Sequence, residues 1–285
     1  MNKKNRVLLA SVGLAIFSGI AATSTTFAWF TTTQNASLSF NSATVETQDN
    51  NLNVAYKSSL NSGIVDSQTG NVISLTGANK VTDISGDGSA FYKPLWNAAL
   101  DMPSARVAYE IEQVGATDAD GYYVDFTLTI SRDDTGTGGM MVYLGQGTQI
   151  VAADDENDAD NQAVLGSRLA VLDDEGNVVL VYAPDAETNY NYVSEDEEGE
   201  LYEVEGFVNT TELSGVVNSF TTYNDNDAAD AANAVAIADL SMETTSVDVT
   251  FRAWLEGEDA DTNNDAIGGV FNIDLKIYGL TVAAA

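Results

Sequence analysis

The sequence predicts an all-β protein, a jelly roll or β-sandwich with long acidic loops and one or two short helices, preceded by a cleaved signal peptide. Two observations carry the fold class: many segments alternate apolar and polar residues, and the loops between them are rich in Asp, Asn, Gly and Thr. Many short strands with polar turns are typical of sandwiches and barrels. Apolar residues make up 44% of the 285-residue chain, which is enough to bury a core.

The N-terminus has the order of segments that marks a secretory signal peptide. A basic segment, 1–6, is followed by an apolar stretch, 7–22, and then by small and polar residues up to Ala28. We therefore predict a signal peptide over 1–28 that is cut between Ala28 and Trp29.

A retained membrane anchor is the alternative for this leader. The apolar stretch is only 16 residues long and contains two glycines, short of the roughly 20 apolar residues that span a bilayer. Cleavage is therefore the preferred interpretation, with a cut near 21–22 as the second choice of position. We divide the mature chain into an N-terminal strand segment, 29–50, and a single β domain, 51–285.

The β domain is predicted from segments in which apolar residues recur at every second position. In the clearest segment, the apolar residues of one face are Val124, Phe126, Leu128 and Ile130. The sequence Asp-Glu-Gly-Asn at 174–177 predicts a hairpin turn. The predicted strands cover 106–114, 122–130, 140–144, 169–172, 178–182, 247–254 and 270–278. The acidic, glycine-containing loop between the last two predicts a long hairpin.

Two short helical segments are expected. The main candidate is the alanine-rich segment 227–240, whose apolar points are Val235, Ile237 and Leu240. A helical turn is also expected near 95–100.

The charge of the mature chain excludes two classes of partner. The leader holds three of the 11 basic residues and none of the 43 acidic ones, which leaves 8 basic residues and a net charge of −35. Nucleic acid would be repelled by such a surface, and so would an anionic membrane. The self-repulsion calls for cations or high salt to screen it.

The chain contains no histidine and no cysteine. This excludes Ser-His-Asp and Cys-His catalysis, ordinary zinc sites and disulfides. A pair of carboxylates, as in glycosidases, is the remaining catalytic option. Because two of 43 acidic residues meet easily by chance, we assign no catalytic residues and expect the protein not to be an enzyme.

Calcium is the one cofactor that the sequence suggests. Two segments alternate oxygen-bearing residues, a spacing that lets a tight loop direct several oxygens at one hard cation. The candidate ligands are Asp83, Ser85 and Asp87 in the first segment, and Glu256, Glu258, Asp259, Asp261, Asn263 and Asp265 in the second. Neither segment is an EF-hand, and a solvated acidic loop is an equally good interpretation. The acidic runs 154–160 and 194–200 are expected to face solvent.

The junction after the leader places two large aromatic residues at the mature N-terminus, Trp29 and Phe30. Exposed aromatic side chains on a free terminus call for a burial site. They either pack into the core of their own domain or belong to a strand that pairs with a neighbouring subunit.

The junction Ala28-Trp29-Phe30-Thr31, followed by a small-polar strand, resembles the TasA/camelysin group of exported bacterial proteins. The segments 252–261 and 267–269 also resemble secreted proteins with similar junctions. The resemblance implies a dedicated signal peptidase and a jelly roll that polymerises into biofilm-matrix fibres through donor strands. The metalloprotease activity ascribed to camelysin is not carried over, because this chain has no histidine to bind zinc.

A donor strand would use the apolar residues that follow the junction. Trp29 and Phe30 would anchor it, and Leu38, Phe40 and Val45 would dock into the open groove of a neighbour. Backbone pairing would supply affinity, and alternate side chains would set the register.

The leading hypothesis is a secreted, extracellular or cell-surface subunit that polymerises with itself, assisted by calcium. The alternative is a monomeric cell-surface adhesion module that binds calcium or a glycan, with tyrosines 190, 192 and 223 stacking on sugar rings. The expected partners are further copies of the chain, the signal peptidase and calcium.

Overall fold

A computed structural model describes residues 36–47, 52–61, 65–69, 72–76, 79–96, 108–115, 121–133, 138–185, 194–195, 201–202, 216–220, 235–241, 244–257, 259, 261–262 and 264–282. The first strands are β1 Ala36–Thr47, β2 Leu52–Ser59, β3 Val65–Thr69, β4 Val72–Thr76, β5 Asn79–Val81, β6 Asp83–Gly86, β7 Phe91–Trp96 and β8 Ala108–Gln113. The next are β9 Val124–Arg132, β10 Gly139–Leu144, β11 Gln149–Ala152, β12 Ser167–Leu172 and β13 Val178–Tyr182. The last are β14 Ser194–Glu195, β15 Leu201–Tyr202, β16 Val216–Val217, β17 Ala236–Leu240, β18 Ser246–Glu256 and β19 Val270–Val282. Helix α1 is Asp158–Leu165, and a 3-10 turn covers Asn264–Ala266.

The predicted all-β class is confirmed, with two large sheets packed as a sandwich. The first sheet has eight strands in the order β17-β10-β19-β1-β4-β3, with β11 also paired to β19 and β5 to β1. One side of β19 is covered by β10 and β11, both antiparallel to it. The other side is covered by β1, which runs parallel to β19. The first and last strands of the described fold are therefore neighbours.

The second sheet has nine strands and is built around β18. β12 pairs with one side of β18, and β9 pairs with most of the other side. β13 and β16 extend the sheet beyond β12, and β2 extends it beyond β9. The C-terminal end of β18 pairs in parallel with β6, which continues into β7 and β8. β14 and β15 form a separate two-stranded sheet.

The main core lies between the two sheets, because alternate residues of β18 and β19 point into it. The contributing residues of these two strands are Val249, Phe251, Ala253, Leu255, Phe271, Ile273, Leu275 and Ile277, all at most 1% exposed. Burying each large side chain stabilises the fold by about 1.5 to 3 kcal/mol.

A second, smaller core lies on the opposite face of β18 and is centred on Trp254. The ring centroid of Phe91 lies 5.1 Å from that of Trp254 in an edge arrangement. The ring of Tyr123 stacks on Phe91 with centroids 4.9 Å apart. Strands β6 and β7 thus supply an apolar cover for the outer face of the second sheet.

The predicted strands are confirmed, and so is the predicted turn, which joins β12 to β13. The carboxylate of Asp173 accepts hydrogen bonds from the backbone N–H groups of Glu175 and Asn177, at 3.0 and 2.8 Å. Gly176 has φ +85°, a conformation that glycine adopts without the penalty of a Cβ. Local turn chemistry therefore fixes this hairpin.

Three local predictions are wrong. The strands predicted to form the long C-terminal hairpin, β18 and β19, belong to different sheets, so the loop between them crosses the sandwich. The C-terminal part of the predicted helix 227–240 is strand β17, where pairing with β10 overrides the helix propensity of alanine. Residues 95 and 96 end strand β7 instead of starting a helical turn. Residues 227–234 and 97–100 lie outside the described part of the chain.

Candidate functional site

The first candidate site is the pairing of β1 with its neighbours, here called the β1 seam. Register pairs run from Ser37↔Val270 to Thr47↔Gly279 along β19. On the opposite side, β1 pairs antiparallel with β5 over residues 36–38 and with β4 over residues 43–44. In the described register, β1 is thus paired along most of its length on one side, and over residues 36–38 and 43–44 on the other.

The sequence-predicted docking residues of β1 all stand beside buried residues of β19. The register pairs concerned are Leu38↔Phe271, Phe40↔Ile273 and Val45↔Ile277. These three partners on β19 are 0% exposed. Register partners in neighbouring strands lie on the same face of a sheet. The three positions of β1 therefore lie on the face of the first sheet that borders the main core.

The structure places β1 in the sheet of its own chain. Leu38, Phe40 and Val45 therefore complete a sheet without a second subunit, as in the interpretation that keeps the N-terminal strand within its own domain. Trp29 and Phe30, the cleavage position after Ala28 and the remainder of 1–35 lie outside the described residues.

The second candidate site is the corner where the two candidate calcium-binding segments, 83–87 and 256–265, begin. The parallel pairing of β6 with β18 joins Leu255 to Asp83 and Glu256 to Ile84. Sheet topology thus brings together two segments that are more than 160 residues apart in sequence. Only the backbone of Asp83 is described, and Ser85 is fully buried.

Glu256 forms the inner part of this corner and is fully buried. Its Oε2 accepts a hydrogen bond from Nε1 of Trp254 at 3.1 Å and one from the backbone N–H of Gly86 at 3.4 Å. Glu256 therefore connects the second core to β6, a structural role for the Trp-Leu-Glu-Gly sequence at 254–257.

Asp87 closes the turn between β6 and β7. Its Oδ1 accepts hydrogen bonds from the backbone N–H groups of Ser89 and Ala90, both at 2.8 Å, and from the Ser89 hydroxyl at 2.7 Å. Burial favours the neutral acid, but these hydrogen bonds outweigh it and lower the pKa of Asp87 below its usual value. The carboxylate thus stabilises the turn by accepting hydrogen bonds from the residues that follow it.

Asp259 forms a buried ion pair with Arg168 on β12, with 2.5 Å between Oδ2 and Nη2. Both side chains are at most 1% exposed. Burial raises the pKa of Asp259, and the Arg168 charge opposes this. Removing either member would leave an uncompensated buried charge, a change that typically costs several kcal/mol.

Asp261, the next candidate ligand that the structure describes, contacts α1. Nε2 of Gln162 donates to the backbone oxygen of Asp261 at 3.0 Å and to its Oδ1 at 3.1 Å. Asp265 is exposed in the 3-10 turn. Glu258 and Asn263 lie outside the described residues. Among the side chains that are described, no group of three or more acidic residues is arranged to hold a metal ion.

Helix α1 and Asp160 are absent from the sequence predictions, which placed 154–160 in solvent. Asp160 is 3% exposed, and its two oxygens accept the backbone N–H groups of Val270 and Asp154 at 2.8 and 3.1 Å. It therefore ties α1 to the start of β19. The local signal was the N-cap: Asn157 Oδ1 accepts from Ala159 N–H, and acidic residues follow in the first turn.

Two arginine–aspartate pairs, one with a buried and one with a half-buried arginine, are also absent from the predictions. Arg168 and Arg252 each sit in a β segment that otherwise reads as half-buried or apolar. A lone arginine in such a strand is the signal that could have been noticed, because burial requires a partner for its charge. The partners, Asp259 and Asp125, are distant in sequence and could not be identified from it.

Within the described ranges, no helix combines the length and the apolar character needed to cross a bilayer. Comparison of the chain with protein-family models and with curated protein sequences finds no match. The likeness of the leader junction to the TasA/camelysin group is therefore a resemblance of short segments.

Proposed function

We propose that this protein is a secreted structural subunit that polymerises into extracellular fibres of the biofilm-matrix type through its mature N-terminal strand. The observation that supports the proposal is the β1 seam. The N-terminal strand occupies a long position along β19, and its apolar residues stand beside buried residues of that strand.

The seam has the properties of a donor-strand site. Without β1, β19 would lose its backbone partners on one side from Val270 to Gly279, while β10 and β11 would still pair with its other side. Such an unpaired edge is a template for an added strand, with main-chain bonds for affinity and alternate side chains for specificity. A β1 strand from another copy offers the same bonds and the same side chains as the chain's own.

Exchange between identical chains would generate an open polymer. Each chain offers one donor, β1, and one acceptor, the groove along β19. Because donor and acceptor are different surfaces, the contact is heterologous, and repetition without closure gives a filament. The acidic surface, with a net charge of −35 after removal of the leader, would keep the subunits soluble before assembly.

The proposal includes export and processing at the N-terminus. The basic, apolar and small-residue segments of 1–28 support secretion, and the resemblance of the junction supports a dedicated signal peptidase. Cleavage after Ala28 would give the strand a free end, which restricts strand exchange to protein that has left the cell.

Calcium assistance belongs to the proposal because of the β6–β18 pairing. This pairing sets Asp83 beside Leu255 and Ile84 beside Glu256, so the two candidate ligand segments begin on neighbouring strands. Asp87 and Asp259 already have hydrogen-bond or ion-pair partners in the fold. A calcium ion at this corner would therefore draw on Asp83, Glu258 and the surrounding backbone oxygens.

The second candidate function is a monomeric cell-surface module that binds calcium or a glycan. One observation favours it: β1 completes the first sheet within its own chain, so the fold needs no partner. In the fibre proposal this closed form is the resting monomer, and in the alternative it is the working form.

A disulfide lock separates the two functions, because the natural chain has no cysteine. Thr44 and Lys276 are register partners on β1 and β19, and neighbouring strands lie within disulfide reach. We expect mature wild-type protein to form filaments by electron microscopy and to increase light scattering. The double variant Thr44→Cys/Lys276→Cys, oxidised as a monomer, should form none until it is reduced.

The two single-cysteine variants serve as controls and should assemble like the wild type under both redox conditions. Filament formation by the oxidised lock would contradict exchange of β1. Wild-type protein that remains monomeric, with and without calcium, would favour the monomeric module.

A further inference from the structure

The apolar residues of β1 do not all stand at alternate positions of the sequence. Leu38 and Phe40 have even numbers, whereas Ala43 and Val45 have odd numbers. In an uninterrupted strand, successive side chains alternate between the two faces, so these two pairs would lie on opposite faces. A regular β1 could therefore present only one of these two pairs to the main core.

The register of the β1 seam resolves this conflict with a bulge. The pairing shifts between Phe40 and Ser42, so that Asn41 has no partner in the register along β19. The four apolar residues just named then all fall beside buried residues of β19. The pairs are Leu38↔Phe271, Phe40↔Ile273, Ala43↔Leu275 and Val45↔Ile277. The four β19 residues are at most 1% exposed.

The position of the bulge matches a gap on the other side of β1. β5 pairs with residues 36–38 and β4 with residues 43–44, and no register pair is described for residues 39–42 on that side. A bulge locally disrupts a ladder. Between the β5 and β4 ladders, residues 39–42 are the part of β1 where this disruption affects only one neighbouring strand in the described register.

We propose that Asn41 is the register-determining residue of the donor strand, an inference that rests on the proposed function. A slip of β1 by two residues would preserve the alternation of faces, so burial alone does not forbid it. Such a slip moves the bulge between the two positions that pair with β4, or to the end of the β5 ladder. The extra residue therefore fits the acceptor groove best in one register.

The register can be read from disulfide yields in the full mature chain. Cysteine at Thr44 should oxidise with Lys276→Cys, its register partner, and not with Asp274→Cys, two residues away on the same face. Deletion of Asn41 leaves a strand of strict alternation without a bulge. We expect this deletion to abolish the selectivity and to give comparable yields with both partners.

The control is Asn41→Ser, which keeps the extra residue and should keep the selectivity. Unchanged selectivity after deletion of Asn41, or its loss in Asn41→Ser, would overturn the inference. If the deletion variant does not fold, moving the asparagine to a position between Ala43 and Thr44, the two residues that pair with β4, gives a second test. That variant places the bulge within the β4 ladder and should lower the melting temperature relative to Asn41→Ser, and an equal melting temperature would overturn the inference.

The same cross-links distinguish this inference from the proposed function. Denaturing gels separate disulfides within one chain, which migrate as monomer, from disulfides between chains, which form a ladder. Selective cross-links found only within monomers would overturn the fibre proposal. Asn41 would then set the register of β1 against β19 within a single chain. A ladder whose register ignores the deletion would overturn the role of Asn41 and support the fibre.

Discussion

Arg252 and Asp125 are register partners on β18 and β9, and the guanidinium donates two hydrogen bonds to one carboxylate oxygen. The distances to Asp125 Oδ2 are 3.1 Å from Nε and 2.6 Å from Nη2. The guanidinium also lies 4.9 Å from the ring centroid of Tyr123 and donates to the backbone oxygen of Gly88 at 2.9 Å. One side chain thus joins the second sheet to the loop after β6.

This pair gives the first prediction. Arg252→Gln should lower the free energy of unfolding by about 3 to 5 kcal/mol, because it leaves the 3%-exposed Asp125 without its counter-charge. The matched control is Lys57→Gln, which breaks the exposed Lys57–Asp248 pair and should change stability by less than about 1 kcal/mol. Urea unfolding of both variants gives the comparison, and equal losses would contradict the structural role of the Arg252 pair.

The second prediction concerns acid stability and Asp87. Because the pKa of this carboxyl is lowered on folding, its contribution to stability is fully present above the ordinary aspartate pKa of 3.8. The contribution is lost as the pH falls from 3.8 through the lowered pKa. Asp87→Asn should therefore be less stable than wild type at neutral pH, and the difference should shrink below pH 3.8.

Melting curves at a series of pH values test this behaviour. Asp133→Asn, at an exposed position before residues 134–137, is the charge-matched control. A difference between wild type and Asp87→Asn that stays constant down to the lowest pH would show that the hydrogen bonds of Asp87 do not depend on its charge.

The third prediction concerns which positions of β1 lie on the core-facing side of the first sheet. Val45 stands beside Ile277, which is fully buried, and Thr44 beside Lys276, which is partly exposed. Val45→Asp should destabilise the mature protein by more than about 2 kcal/mol, because it places a charge on the side of the sheet that borders the main core. Thr44→Asp, with the same charge and a neighbouring lysine, should have little effect. Equal melting temperatures for the two variants would refute the register of the seam.

The fourth prediction is a calcium effect on stability. A ligand that binds only the folded protein stabilises it by about 2.7 kcal/mol at one hundred times its dissociation constant. After chelation, calcium should raise the melting temperature of the mature protein more than sodium chloride of equal ionic strength. Asp83→Asn combined with Glu258→Gln should weaken this difference, while Asp155→Asn combined with Asp174→Asn should not. An equal rise with both salts would reduce the calcium effect to charge screening.

The strands were predictable from the sequence because their signal is local. Val124, Phe126, Leu128 and Ile130 alternate with polar residues, and all four are buried in β9. The turn at 174–177 was equally accessible, since Asp173 and Gly176 make it from their own backbone and side chains. In these segments local pattern and tertiary packing favour the same structure.

The pairing of strands was not predictable, because neighbours in a sheet are chosen over the whole chain. β18 and β19 follow each other in sequence, yet each finds its partners elsewhere. Ala236–Leu240 has alanine at two of five positions, and pairing with β10 makes it a strand. The ion pairs of Arg168 and Arg252 bridge 91 and 127 residues, a separation that no local pattern reports.

The parallel direction of β1 and β19 has a mechanical consequence. A pull on the N-terminal end of β1 against the C-terminal end of β19 acts along the two strands in opposite senses. The hydrogen bonds from Ser37↔Val270 to Thr47↔Gly279 then carry the load together in shear, instead of opening one after another from an end. A strand held in this geometry resists tension along its own axis far better than a hairpin pulled apart at its open end.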